Sequence, residues 1–239
     1  MKKILQFLLD SKAQNKKLLA ILIDPDKFDV KIASETIGKA EKCADFLLIG
    51  GSTDDFFKTE KTVEAIKKMT SLPLVLFPGD FSQITPKADA LLFLSLLSGR
   101  NPEYLIEQHI KAVPVLKKSD LEIIPTAYIL IDGGKESAVQ RVSGTKPMLQ
   151  ENVEFIVNTA LAGTYSGKKL IYLEAGSGAA IPVKEEIISE VKKAVKIPVI
   201  VGGGIRSEKQ IQKAYNAGAD IVVVGTAFEE NSRVVFNRN

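Results

Sequence analysis

Eight short apolar runs recur along this chain, and most are followed by a stretch of different periodicity. The runs are LLAILID (18–24), ADFLLIG (44–50), LPLVLFP (72–78), ADALLFLS (88–95), EIIPTAYILI (122–131), KLIYLE (169–174), IPVIVGG (197–203) and ADIVVVG (219–225). Between them IASETIGKAEKC, TVEAIKKMTS, PEYLIEQHIKAVPVLKKS, ENVEFIVNTALAG, KEEIISEVKKAV and SEKQIQKAYNAG space apolar residues at i, i+3 and i+4, as amphipathic helices do. Strands alternating with helices imply a parallel sheet with right-handed crossovers. Eight such units in 239 residues are the tally of a (β/α)8, or TIM, barrel. The tight place is between Pro78 and Ala88, where only a short helix over FSQIT fits. An open doubly wound sheet therefore stands as the alternative. No linker, low-complexity run or break in composition divides the chain, so one domain over 1–239 is expected.

Composition narrows the partners. Net charge is +3, from 32 basic and 29 acidic residues spread without a basic block, which argues against nucleic acid. The single cysteine, Cys43, allows no disulfide framework and suits a cytoplasmic setting; its place before the second strand reads as a small buried hydrophobe. The first residues, MKKILQFLLDSKAQNKK, lack a full apolar core and a cleavage site, and predict a first helix instead of a secretion signal. ALLFLSLLSG falls well short of the roughly 20 apolar residues that span a bilayer. No transmembrane segment is expected, and a transient contact with a membrane surface stays open.

Loops after the strands of such a barrel form its catalytic face. The last three of these loops are EAGSGA, VGGGIRS and VGTAFEEN. Glycine lets backbone amides approach an anion, and helix N-termini aim N–H groups at it. Gly203, Gly204, Gly225 and Thr226 are thus candidates for a phosphate site at the C-terminal ends of strands six to eight, with hydroxyls from Ser177 and Thr226. The same glycines also serve tight turns, and Arg206 fits either the anion or the first turn of the next helix. GGG lacks the spacing of a dinucleotide fingerprint.

The first strand ends LIDPDK. Alternation places Ala20 and Leu22 inside the barrel, Leu19, Ile21 and Ile23 against helices, and Asp24 at the mouth. Lys27 is free to reach inward. The second strand ends LIGGST, where Ser52 offers an oxygen beside Asp24. A carboxylate and a hydroxyl on neighbouring strand ends suit magnesium, which borrows the rest of its shell from water and substrate phosphates. A structural cap or hydrogen bond is the plainer role for each. One histidine, His109, is too few for zinc. Two anion sites across one mouth point to a reaction joining two phosphorylated molecules.

LIDPDK, IGGS, LFPGD, YLEAGSGA, VGGGIRS and VVVGTAFEEN together resemble the geranylgeranylglyceryl phosphate synthase family and its heptaprenylglyceryl phosphate relatives, from about residue 20 to about 231. The long loop 132–150 and YLEAGSGA look more like the longer, archaeal-type branch, which favours a geranylgeranyl over a heptaprenyl donor. The resemblance implies a barrel that transfers a prenyl group from a prenyl diphosphate to the 3-hydroxyl of sn-glycerol 1-phosphate, with Mg2+. It puts Asp24 and Ser52 on the metal positions. Tyr172, Leu173, Glu174, Ala175, Gly176, Ser177 and Gly178 fall on the glycerol phosphate segment, which Gly203, Gly204, Gly225 and Thr226 complete; where some members have GN, this chain has GT. It also implies a homo-oligomer, while the 132–150 loop fits either a lid or an oligomer contact.

Within that frame Tyr172 and Glu174, two residues apart, share the inward face while Leu173 turns outward. Glu174 is the candidate general base for the glycerol hydroxyl, at the ordinary carboxyl pKa of about 4.3. Tyr172 is its neighbour on the substrate or on the cationic carbon, and Lys27 is the candidate for diphosphate. An apolar trench for the tail is expected among Phe77, Phe81, Leu92, Phe93, Leu96, Leu97, Tyr104 and Tyr128. The rival readings are a phosphosugar isomerase or flavin-binding barrel, with Tyr128 as the best available second acid or base, and a non-enzymatic phosphometabolite-binding barrel.

Overall fold

In the computed structural model, which describes residues 3–51 and 56–230, the apolar runs become β1 (Leu18–Ile23), β2 (Phe46–Ile49), β3 (Leu74–Leu76), β4 (Ala90–Leu96), β5 (Glu122–Leu130), β6 (Leu170–Glu174), β7 (Val199–Gly202) and β8 (Ile221–Val224). All pair in parallel, in chain order, and β8 returns to β1 with Ala20 opposite Val223. The ring is closed, so the (β/α)8 barrel is the fold and the open sheet is not.

The helices are α1 (Ile4–Ala13), α2 (Val30–Cys43), α3 (Phe56–Lys67), α4 (Gln108–Leu116), α5 (Ala138–Ser143), α6 (Val153–Tyr165), α7 (Glu185–Ala194), α8 (Glu208–Ala217) and α9 (Thr226–Glu230). Local chemistry sets several of their starts. Asp29, Ser137 and Ser207 cap α2, α5 and α8 by accepting N–H bonds from the first turn. Helix α7 carries Glu185 and Glu186 at its start and Lys192 and Lys193 at its end, matching its dipole. Cys43 is buried in α2, with its thiol against the carbonyls of Lys39 and Ala40.

Five strands start two residues later than expected, and the Ala-Asp pairs displaced from three of them have a common task. The carboxylates of Asp45, Asp89 and Asp220 accept the N–H groups of Leu19, Leu74 and Val199 on the preceding strand, at 3.0, 2.8 and 2.9 Å. Lys16, Lys67 and Lys192 pair with the same three carboxylates. The repeated AD before β2, β4 and β8 thus pins the odd–even strand pairs at the N-terminal end of the barrel, the end that serves stability.

Side chains alternate between two apolar layers. Ala20, Phe46, Leu48, Val75, Leu92, Tyr128, Tyr172, Ile200 and Val223 fill the barrel, while Leu19, Ile21, Leu47, Leu91, Leu173, Val201 and Val222 pack under the helices. Ile4 and Leu8 of α1 join the inner layer, so the first helix plugs the bottom of the barrel. The backbone N–H groups of Ile4 and Leu5, unsatisfied within the helix, donate to Glu122 at the start of β5. The ring of helices is thin after β3, where a single 3-10 turn (Phe81–Gln83) stands. Before α4 the chain makes a π-helical turn over Glu103–Glu107. Among the described residues no helix is long and apolar enough to cross a membrane.

Candidate active site

The C-terminal mouth opens into a cavity of about 330 Å³. One part is polar, with Asp24, Lys27, Glu174, Ser177, Gly178, Gly203, Gly204, Arg206, Gly225 and Thr226 on its wall. The other part runs through the gap in the helix ring, past Phe77, Phe81, Leu92, Phe93, Leu96, Tyr104, His109 and Tyr128. Phe93 belongs to the outer layer yet lines this part, because the missing helix lets the cavity leave the barrel. Leu97 does not line it; its side chain turns outward onto α6, close to Gly163. The loop after β5 carries α5, whose Val139, Arg141 and Val142 form part of the same wall. His109 stacks on Phe93 at 4.0 Å and bonds the Leu94 carbonyl.

Alternation delivers Glu174 to the mouth at the last position of β6, across from Gly202. The side chain is buried, at 6% exposure. Burial pushes its carboxyl up to about 7; the Gly176 N–H, donated at 2.7 Å, and the Tyr172 hydroxyl partly offset that. This corrects the ordinary value expected from sequence. Tyr172 Oη stands near enough to influence the carboxyl, but it has no hydrogen-bond partner of ordinary geometry. Phe77 roofs the pair, with its ring 5.1 Å from Tyr172 and 5.7 Å from Tyr128. Burial first, and Glu174 second, hold both phenols well above the usual range, so they stay protonated and act as donors, not bases.

The three consecutive glycines that begin with the last residue of β7 do different work. A β-carbon at 202 would lie 2.7 Å from Tyr172 Oη and 2.9 Å from Glu174 Oε2. One at 203 would lie 2.6 Å from Glu174 Oε1, in backbone with φ of 84°. These two glycines clear space for the carboxylate. Gly203→Ala is therefore expected to displace Glu174 and lower stability by roughly 2 kcal/mol or more. Thermal denaturation of the variant beside the wild type measures it.

The anion cradle is built from Gly178 and Gly204, both at positive φ, with Ser177 Oγ 3.2 Å from Thr226 Oγ1 at the start of α9. Among the described residues the N–H groups of Ser177, Gly178, Gly204 and Thr226 bond no other backbone group outside helices and strands. Gly176 N–H is taken by Glu174, while the Leu173 and Ala175 side chains lie in the outer layer, away from the cavity. Arg206 precedes the α8 cap and donates to the Gly178 carbonyl at 3.0 Å, which places a cation at the cradle.

Across the mouth, Asp24 follows β1. Its Oδ1 accepts the Asp26 N–H at 3.0 Å, and its Oδ2 lies 3.2 Å from Lys27 Nζ. Ser52 lies outside the described residues. Among those described, no three His, Cys, Asp or Glu side chains gather as a metal site. A partly exposed carboxylate on a cavity rim nevertheless matches what magnesium asks of a protein when water and phosphates complete its shell.

The buried carboxyl has a measurable consequence without any ligand. Its folded pKa lies above the unfolded value of 4.5, so its contribution is complete below that pH and is lost as pH rises through about 7. Relative to Glu174→Gln, the wild type should lose about 3 kcal/mol of stability between pH 4.5 and 8. Chemical denaturation of both proteins across that range measures it, and a constant difference would contradict the burial effect.

The fold and the mouth define a (β/α)8 barrel in which a glycine cluster suited to an anion, a buried carboxyl and an apolar cavity share one opening. Its sequence matches the PcrB family over residues 12–238, and the chain belongs to that family. A geranylgeranylglyceryl phosphate synthase of Zunongwangia profunda is 59% identical over 229 residues, which are 96% of this chain and 98% of that one. The enzyme of that name from Pyrococcus furiosus is 42% identical over 92% of this chain and 88% of its own. The crystal structure of (S)-3-O-geranylgeranylglyceryl phosphate synthase from Thermoplasma acidophilum, in complex with sn-glycerol-1-phosphate, superposes with a TM-score of 0.92 at 37% identity. That match covers 99% of this chain and 95% of the other.

Proposed function

We propose that this protein joins geranylgeranyl diphosphate to the 3-hydroxyl of sn-glycerol 1-phosphate, releasing diphosphate. The observation that carries this reading is the position of Glu174, buried between the glycine cradle and the apolar cavity. The cradle of Ser177, Gly178, Gly204 and Thr226 takes the acceptor's phosphate, which leaves its hydroxyl end beside Glu174 and Tyr172. The apolar cavity takes the tail, and Lys27 turns from Asp24 to the diphosphate. Asp24 would hold magnesium, with Ser52, and the ion when bound neutralises charge on the departing diphosphate.

The C–O bond to diphosphate breaks and a bond forms between the allylic carbon and the glycerol oxygen. The Phe77, Tyr128 and Tyr172 rings face the carbon as it becomes cationic and exclude water from it. The hydroxyl proton, acidified as its oxygen bonds the carbon, passes to Glu174. A carboxyl near 7 is a stronger base than an ordinary one and close to the optimum for work at neutral pH. The two phenols cannot serve as a second base, which counts against an isomerase.

The test is incubation with labelled sn-glycerol 1-phosphate and geranylgeranyl diphosphate, with and without magnesium. Lipid-extractable label is expected only with both substrates. Phosphate-ligand binding without product would favour a binding barrel, and a series of donors would separate geranylgeranyl from heptaprenyl preference. We infer also a cytoplasmic, self-associating protein that touches membranes transiently. The lone cysteine supports the first, and exposed apolar side chains such as Phe155 and Ile181 support the second. Sedimentation with and without vesicles tests the last two.

A further inference from the structure

The segment leaving β5 lies along the phosphate cradle as a strap. The N–H groups of Ala180 and Ile181 donate to the Gly133 carbonyl at 2.9 and 3.0 Å. Ser137 packs so closely that a β-carbon at Gly176 would come within 2.7 Å of its own Cβ. Between these anchors, Lys135 aims its ammonium at the cradle: Nζ lies 3.2 Å from where a β-carbon on Gly178 would stand. Arg206 reaches the same residue from the other loop. Two cations therefore converge on one glycine of the cradle. Lys135 makes no ion pair among the described residues, while its neighbour Glu136 faces Arg141 at 3.8 Å.

An exposed lysine with no partner ordinarily gains by extending into water, where its four-carbon stem keeps its rotamer freedom. Here it lies instead against the Gly178 turn that Arg206 also reaches, and two like charges at one turn are unfavourable unless an anion joins them. We propose that Lys135 is a further binding residue for the acceptor, donating a charge-assisted hydrogen bond to its phosphate from the β5 side. The amides orient the phosphate; Lys135 adds a full charge, which selects a phosphorylated polyol over the neutral one. This rests on the reading that the cradle holds sn-glycerol 1-phosphate.

Lys135→Ala should raise the KM for sn-glycerol 1-phosphate about five- to tenfold. Its kcat and its KM for geranylgeranyl diphosphate should stay within about twofold. Lys135→Arg should recover most of the loss, and Glu136→Gln should behave as wild type. Product from the wild type with an unchanged acceptor KM in Lys135→Ala would overturn the role of Lys135 alone. So would a loss confined to kcat, or equal impairment in the Ala and Arg variants. No product from the wild type would instead remove the acceptor assignment itself, and this proposal with it.

Discussion

Glu174→Gln is expected to lower kcat by about 10²-fold or more, the usual contribution of a positioned base, while sn-glycerol 1-phosphate still binds. The substitution preserves shape, and the amide oxygen can still accept the Gly176 N–H. What it removes is the ability to take a proton. The pH profile provides an internal control. Wild-type turnover should rise as pH passes through about 7, where the buried carboxyl ionises. The glycerol phosphate also titrates near pH 6, as phosphate monoesters do, but that limb belongs to the substrate and persists in the variant. Only the limb lost on substitution reports Glu174. Unaltered turnover in Glu174→Gln would refute the base role and leave the carboxylate as a ligand for the hydroxyls.

Asp24→Asn is expected to cost about 10²- to 10³-fold, the range for loss of one electrostatic contact to developing charge. Asparagine retains an oxygen for the Asp26 N–H, so the turn after β1 should survive. It loses the negative charge that would draw a divalent cation to this rim. The variant should therefore need much more magnesium for half-maximal rate, with an acceptor KM close to wild type. A normal magnesium titration in Asp24→Asn would take Asp24 off the metal. Direct magnesium binding in the presence of diphosphate, followed by calorimetry, gives the same answer without turnover.

The strands were legible because a barrel strand is apolar on both faces, and their alternation was enough to turn Tyr172 and Glu174 inward and Leu173 outward. The short segment after β3 was legible as a doubtful place in the helix ring, but not as the exit for the cavity. That exit depends on what is absent between distant elements, which no local pattern records. Leu97 was grouped with the trench by composition, although its odd register with Phe93 already turned it from the barrel. The glycines at 202 and 203 signalled a close approach, but not that the Glu174 carboxyl is one of the groups that comes close. The carboxyl's pKa was beyond reach because burial sets it, and burial is decided by elements far apart in sequence. Lys135 lies in an aperiodic loop, where only the folded chain shows what stands beside it.

The most direct measurement is a crystal structure of the protein with sn-glycerol 1-phosphate and a non-reactive geranylgeranyl diphosphate analogue. The expected result has the acceptor's phosphate on the amides of Ser177, Gly178, Gly204 and Thr226, its 3-hydroxyl in hydrogen-bond contact with Glu174, and the analogue's diphosphate across the mouth at Asp24. A hydroxyl turned away from Glu174, or the two anions on exchanged sides of the rim, would contradict it.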